Sequence, residues 1–108
     1  MTERVCFLLQ IRPDKVEEYL AAHETVWPEM LAALSRTGWR NYSLFVREPD
    51  GLVVGYLETD DYEAAQRAME AEQINLRWQA VMGGYFTLPE GARPDDGSVR
   101  LTEYFHLE

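Results

Sequence analysis

Tyr19, His23 and Trp27 stand at successive four-residue steps, and Pro28 follows directly. On a helix those steps put all three rings on one side. A titratable imidazole between two aromatic rings suits binding a polar ring compound and moving a proton on it. Histidine fits that task because its ordinary pKa lies near neutrality. Only two histidines occur, His23 and His106. The competing reading of His23 is a core histidine tied to a backbone carbonyl. Two features favour a site. Buried Tyr19 and Trp27 would bring polar ring edges that need partners. Asn41, Tyr42 and Ser43, on a neighbouring predicted strand, add hydrogen-bonding groups to an otherwise apolar region. A mostly apolar pocket with a few convergent polar groups is the usual form of a small-molecule site.

Trp78 lies between Arg77 and Gln79 in a predicted helix. Its spacing reads first as core. An aromatic face also suits the C–H-rich face of a sugar, and Gln79 has an amide for a hydroxyl. His106 sits near the end of the last predicted strand and reads as a surface or interface residue. A two-histidine metal site finds no support in the spacing of His23 and His106. The single Cys6 excludes a cysteine-based zinc site and an intrachain disulfide. No serine occupies a nucleophile-elbow pattern, and no glycine-rich phosphate loop is present. Proton transfer without metal or cofactor remains, or binding alone.

These residues need elements to hold them. Residues 4–11 read as a mostly buried strand. Pro13 sits where a helix can start, followed by Asp14, Glu17 and Glu18 at its positive end. The stripe Val16, Tyr19, Leu20, His23, Trp27, Met30, Leu31, Leu34 keeps helical spacing, with a kink expected at Pro28 and a stop at Gly38. Residues 39–47 alternate as a strand. Arg40, Tyr42, Leu44 and Val46 fall on one face, and Trp39, Asn41, Ser43 and Phe45 on the other. Glu48-Pro49-Asp50-Gly51 is a turn signal, so Leu52 to Glu58 completes a hairpin. Asp60 with Glu63 suggests a capping box for the next helix. A further helix covers about 73–82, ending at Gly83-Gly84. Residues 89–98 read as a loop, and Val99 to Leu107 as a final strand.

Strand, helix, strand, strand, helix, strand is the ferredoxin-like split βαβ order, an α+β fold with helices on one face of an antiparallel sheet. The other face carries too many apolar side chains to stay bare in water. A homodimer joined through these open faces is therefore expected.

Length bounds the rest. A chain of 108 residues makes one domain, 1–108, able to bury roughly two-thirds of its unfolded surface. The net charge of −9, with scattered Lys and Arg, argues against nucleic acid. No apolar run approaches the roughly 18 residues of a membrane span. The chain turns polar again by Gln10, too soon for a signal peptide, so a cytoplasmic location is expected.

Glu17-Glu18-Tyr19-Leu20-Ala21-Ala22-His23-Glu24-Thr25-Val26-Trp27-Pro28-Glu29 resembles the first-helix signature of the L-rhamnose mutarotase family. Asn41-Tyr42, Arg77-Trp78 and the ending Glu103-Tyr104-Phe105-His106-Leu107 resemble three further segments. The resemblance implies a dimeric α/β barrel of ferredoxin-like subunits that interconverts the anomers of a 6-deoxy sugar. It also implies His23 as proton donor and Tyr19, Tyr42 and Trp78 as sugar-binding residues. Family members often carry two adjacent Trp, whereas here Gln79 follows Trp78. One stacking surface becomes a hydrogen-bonding amide, which bears on the identity of the sugar. Two other readings compete: a cofactor-free monooxygenase on the same barrel, and a non-catalytic sugar-binding module.

Overall fold

The computed structural model describes residues 2–86 and 98–108. The expected loop at 89–98 lies outside the described residues, apart from Ser98. Four strands form one antiparallel sheet in the order β2-β3-β1-β4. They are β1 (Glu3–Gln10), β2 (Arg40–Arg47), β3 (Leu52–Thr59) and β4 (Val99–Leu101). Four helices accompany them: α1 (Val16–Glu24), α2 (Pro28–Arg36), α3 (Tyr62–Glu70) and α4 (Gln73–Met82). This is the ferredoxin-like α+β arrangement that the element order implied.

Alternation in the strands separates the two faces of the sheet. Val5 and Phe7 of β1, with Val53, Leu57 and Thr59 of β3, are buried on the helix-covered face. On the opposite face Cys6 pairs with Leu101, Leu8 with Val99, and Phe45 with Val54. Phe45 is 62% exposed and Val99 59% exposed, so an apolar sheet face lies open in the single chain.

The long first helix is two helices. Before Pro28 the residue cannot keep helical backbone, because the proline ring crowds it. Trp27 accordingly adopts φ −55°, ψ 133°, and Thr25 is also non-helical. Pro28 then opens α2 at its first position, where its missing N–H costs nothing. The break replaces the expected kink. Pro13 likewise begins a 3₁₀ turn, Pro13–Lys15, ahead of α1. Gly38, at φ +96°, ends α2 with a paired closure: Gly38 N–H donates to Ser35 C=O and Trp39 N–H to Leu34 C=O. That is a Schellman motif, and it aims the chain at β2.

β2 departs from plain alternation. Arg40 pairs with Glu58 and Ser43 with Tyr56, so two residues of β2 oppose one of β3. Asn41 is the bulged residue, at φ 48°. The bulge brings Trp39 onto the same face as Tyr42, their ring centroids 5.2 Å apart. Trp39 therefore packs under the helices, its Nε1–H donating to Ala65 C=O of α3 at 3.3 Å. This corrects the simple alternation, which sent Trp39 to the other side.

The cap of α3 is Asp61, whose Oδ1 accepts from Ala64 N–H at 3.1 Å. Asp60 instead pairs with Arg40. Glu3 of β1 accepts from Tyr62 N–H at 3.0 Å, so a carboxylate from another strand takes part in closing the helix end. The last strand is also shorter than expected. β4 pairs with Cys6, Phe7 and Leu8 only. Beyond it, Glu103 is held by Arg4 at 2.7 Å, while Tyr104, Phe105 and Leu107 are largely exposed. No helix of the described residues is long and apolar enough to cross a membrane.

Candidate functional site

Two aromatic walls face each other between the helices and the sheet. The first runs through α1 and α4. Tyr19 and His23 lie with ring centroids 4.3 Å apart, His23 meets the Trp78 ring edge-on at 5.3 Å, and Trp27 meets it from another side at 5.0 Å. Phe86 closes against Tyr19 at 5.6 Å. The second wall is Phe7, Tyr42 and Trp39, stepping from β1 across β2, with Tyr62 behind Trp39.

A cavity of about 380 Å³ opens between the walls, with a smaller lobe of about 90 Å³ toward the sheet. Both lobes share His23, Tyr42, Trp78 and Gln79. Tyr19 lines the smaller one. A volume of this order suits a small ring compound. Tyr19, His23, Tyr42, Trp78 and Gln79 therefore meet at one cleft. Trp27 lines neither lobe and instead buttresses Trp78. Asn41 and Ser43 line neither lobe, because the bulge turns Asn41 away to donate to Glu58 at 3.3 Å. His106 is exposed in the terminal segment.

His23 is oriented by its own helix. Its Nδ1 lies 2.9 Å from the backbone carbonyl oxygen of Tyr19. A carbonyl oxygen only accepts, so Nδ1 carries the hydrogen. In neutral imidazole the other nitrogen, Nε2, then holds the lone pair. The core-histidine reading and the site reading thus meet in one side chain: the carbonyl contact exists, and the ring still lines the cleft. Burial pushes the Tyr19 phenol up to about 12, so it stays protonated at neutral pH and acts there as a hydrogen-bond group rather than a base.

Sequence reasoning overlooked Trp39, Met69 and Asn75, all of which line the larger lobe. Asn75 was within reach: it stands four residues before Gln79 on the same helical face. Its side chain is 1% exposed and donates to Met69 C=O at 3.1 Å. Among the described residues, no three His, Cys, Asp or Glu side chains gather into a metal-binding group.

The sheet order and the aromatic cleft above it define a ferredoxin-like α+β protein with the fold of the dimeric α/β-barrel class. Within that class the comparisons are specific. The family model described as L-rhamnose mutarotase matches residues 4–107, and the chain belongs to the L-rhamnose mutarotase family. The L-rhamnose mutarotase of Oceanobacillus iheyensis is 34% identical over 106 residues, 98% of this chain and 99% of that one. A crystal structure of L-rhamnose mutarotase from Formosa agariphila superposes with a TM-score of 0.80 at 22% identity, covering 98% of this chain and 99% of that one. A putative antibiotic biosynthesis monooxygenase from Nitrosomonas europaea reaches a TM-score of 0.62 at 13% identity, covering 93% and 86%. That likeness is one of fold alone.

Proposed function

We propose that the cleft interconverts the α and β anomers of L-rhamnose, or a related 6-deoxy sugar, with His23 moving a proton at Nε2. The observation that carries this is the 2.9 Å contact between His23 Nδ1 and Tyr19 C=O in a cleft shared by Tyr42, Trp78 and Gln79. It supports Nε2 as the exchanging nitrogen, since Nδ1 is occupied by the backbone carbonyl.

Mutarotation breaks the bond between the anomeric carbon and the ring oxygen. In this reading protonated His23 gives its Nε2 proton to the ring oxygen, while a water accepts the anomeric hydroxyl proton as the carbonyl forms. The aldehyde then turns about its bond to the second carbon. The ring hydroxyl attacks the other face, and both protons return. Tyr19, held protonated by burial, supplies a hydrogen bond rather than the base. Trp78 and Tyr42 offer ring faces to the apolar side of the sugar.

The working form in this proposal is a homodimer. The open sheet face with Phe45, Val99 and Leu101, and the terminal Tyr104, Phe105 and Leu107, offer apolar surface for a second copy. The cytoplasm is the compartment this reading takes.

The test is NMR exchange spectroscopy between the anomers of L-rhamnose at equilibrium, with and without protein. Faster exchange supports the assignment. Tight binding with an unchanged rate would leave a sugar-binding module instead.

A further inference from the structure

One face of α3 turns toward the smaller lobe of the cleft. Gln66, Met69 and Glu70 stand at positions i, i+3 and i+4 of that helix, and all three line the lobe. Among the described residues, Glu70 is the only Asp, Glu, Lys or Arg side chain lining either lobe. No hydrogen bond or ion pair engages it among those residues, whereas Glu72, two positions on, is held by Arg36. The helix gains nothing from it either. Glu70 is the last residue of α3, where the helix dipole is negative and a carboxylate is disfavoured. Neither helix stability nor ion pairing accounts for a carboxylate at this point of the cleft.

We infer that Glu70 is the base of the reaction, taking the anomeric proton through the water that stands at the anomeric hydroxyl. The inference rests on the mutarotase reading of the cleft and supplies its second proton-transfer group. His23 reaches the smaller lobe from α1 and Glu70 from the end of α3, so separate elements bring a proton donor and a carboxylate to one space. The other polar side chains of the lobe are phenols, amides and a hydroxyl, none of them a base near neutral pH. In ring opening, the anomeric O–H breaks and its proton goes to the water, which passes one of its own to a Glu70 oxygen. The bond between the anomeric carbon and the ring oxygen breaks as the carbonyl forms. Its electron pair stays on the ring oxygen, which takes the Nε2 proton of His23. Imidazolium and carboxylate thus become neutral imidazole and carboxylic acid, and ring closure reverses both transfers. Glu70 is exposed on its outer side, so water reaches it from solvent.

The test measures kcat and KM for L-rhamnose anomer exchange by NMR in wild type, Glu70→Gln and Glu70→Ala. Glu70→Gln keeps the size and an acceptor oxygen but takes up no proton. Its kcat should fall by about tenfold to a hundredfold, at or below the lower end of the range for a positioned base, with KM nearly unchanged. Added formate should restore kcat in Glu70→Ala, after subtraction of the protein-free rate at the same formate concentration, and should leave wild type unmoved. Glu63→Gln, in the first turn of the same helix and outside both lobes, controls for the change in charge and should match wild type. Thermal denaturation should find both Glu70 variants at least as stable as wild type, because the helix end loses a like-signed charge. A rise in KM alone, a kcat in Glu70→Gln equal to wild type, or a loss in Glu70→Ala that formate leaves untouched would overturn the inference and keep the mutarotase reading. A wild type that does not accelerate exchange refutes both.

Discussion

Phe7 lies across Gly55, its register partner on β3, so closely that a Cβ at position 55 would stand 2.3 Å from the ring's Cζ. Glycine in mid-strand costs conformational entropy, and here it makes room for an aromatic ring to lie against the backbone. Phe7 lines the smaller lobe, so Gly55 sets the depth of the cleft floor. Gly55→Ala should force the ring upward into that lobe. The expected cost is about 1–3 kcal/mol, the usual range for overpacking. Urea denaturation reads the stability, and L-rhamnose titration should show weaker binding in the same variant.

His23→Ala should slow protein-dependent anomer exchange by roughly 10²–10⁴-fold, the typical contribution of a positioned acid or base. The half-buried ring leaves α1 otherwise intact, so far-UV circular dichroism should match wild type. An exchange rate equal to wild type would remove His23 from the mechanism.

Tyr19 makes stability depend on alkaline pH. Its folded-state pKa is raised to about 12, against an ordinary value of 10.0. Below pH 10 the phenol is neutral in both states and its stabilising effect is complete. Between about pH 10 and 12 the unfolded chain ionises first, so stability falls as pH rises. Tyr19→Phe should flatten the decline of the urea midpoint over that window. An identical slope in the variant would show that burial does not hold the phenol neutral.

Asp60 and Asp61 separate cleanly. Asp61→Ala removes the side-chain cap on Ala64 N–H and should cost about 1 kcal/mol. Asp60→Ala removes only an exposed ion pair with Arg40, worth little in water. Thermal denaturation should show a lower Tm for the first variant and a nearly unchanged one for the second.

Phe45→Lys places a charge on the open sheet face, on the edge strand β2. Sedimentation velocity should show wild type at twice the 12.5 kDa chain mass and the variant shifted toward the single chain. A monomeric wild type would refute the proposed homodimer.

The fold was legible wherever local pattern decides. Alternation marked β2, and the Glu48-Pro49-Asp50-Gly51 turn led from it to β3. Gly38 marked the end of α2, where its φ of +96° completes the closure. The misses have a common cause: long-range contacts override local signals. Asp60 looked like a cap until Asp61 took Ala64, with Glu3 reaching over from β1 to Tyr62 N–H. Trp39 looked outward until the extra residue Asn41 turned it inward. The stripe through Pro28 looked continuous because its spacing survives the break at Thr25 to Trp27. In the site, Tyr19 and His23 were readable from helical spacing. Tyr42 and Trp78 came from the family resemblance, since their spacing alone reads as core. Asn75 went unread although it stands one helical turn before Gln79 on the same face, because only the structure shows that it is buried and tied to the Met69 carbonyl.

The contact between His23 and the carbonyl four residues back has a consequence for how such a site is inherited. The ring takes its hydrogen-bearing nitrogen from backbone of the same turn, so no second side chain has to be kept for that purpose. With His23 moving the proton as proposed, substitutions elsewhere in the cleft would alter which sugar enters while leaving the proton-carrying atom in place. In that proposal proton chemistry and substrate choice are separable, and α1 is a unit that protein design could transplant beneath a different cleft.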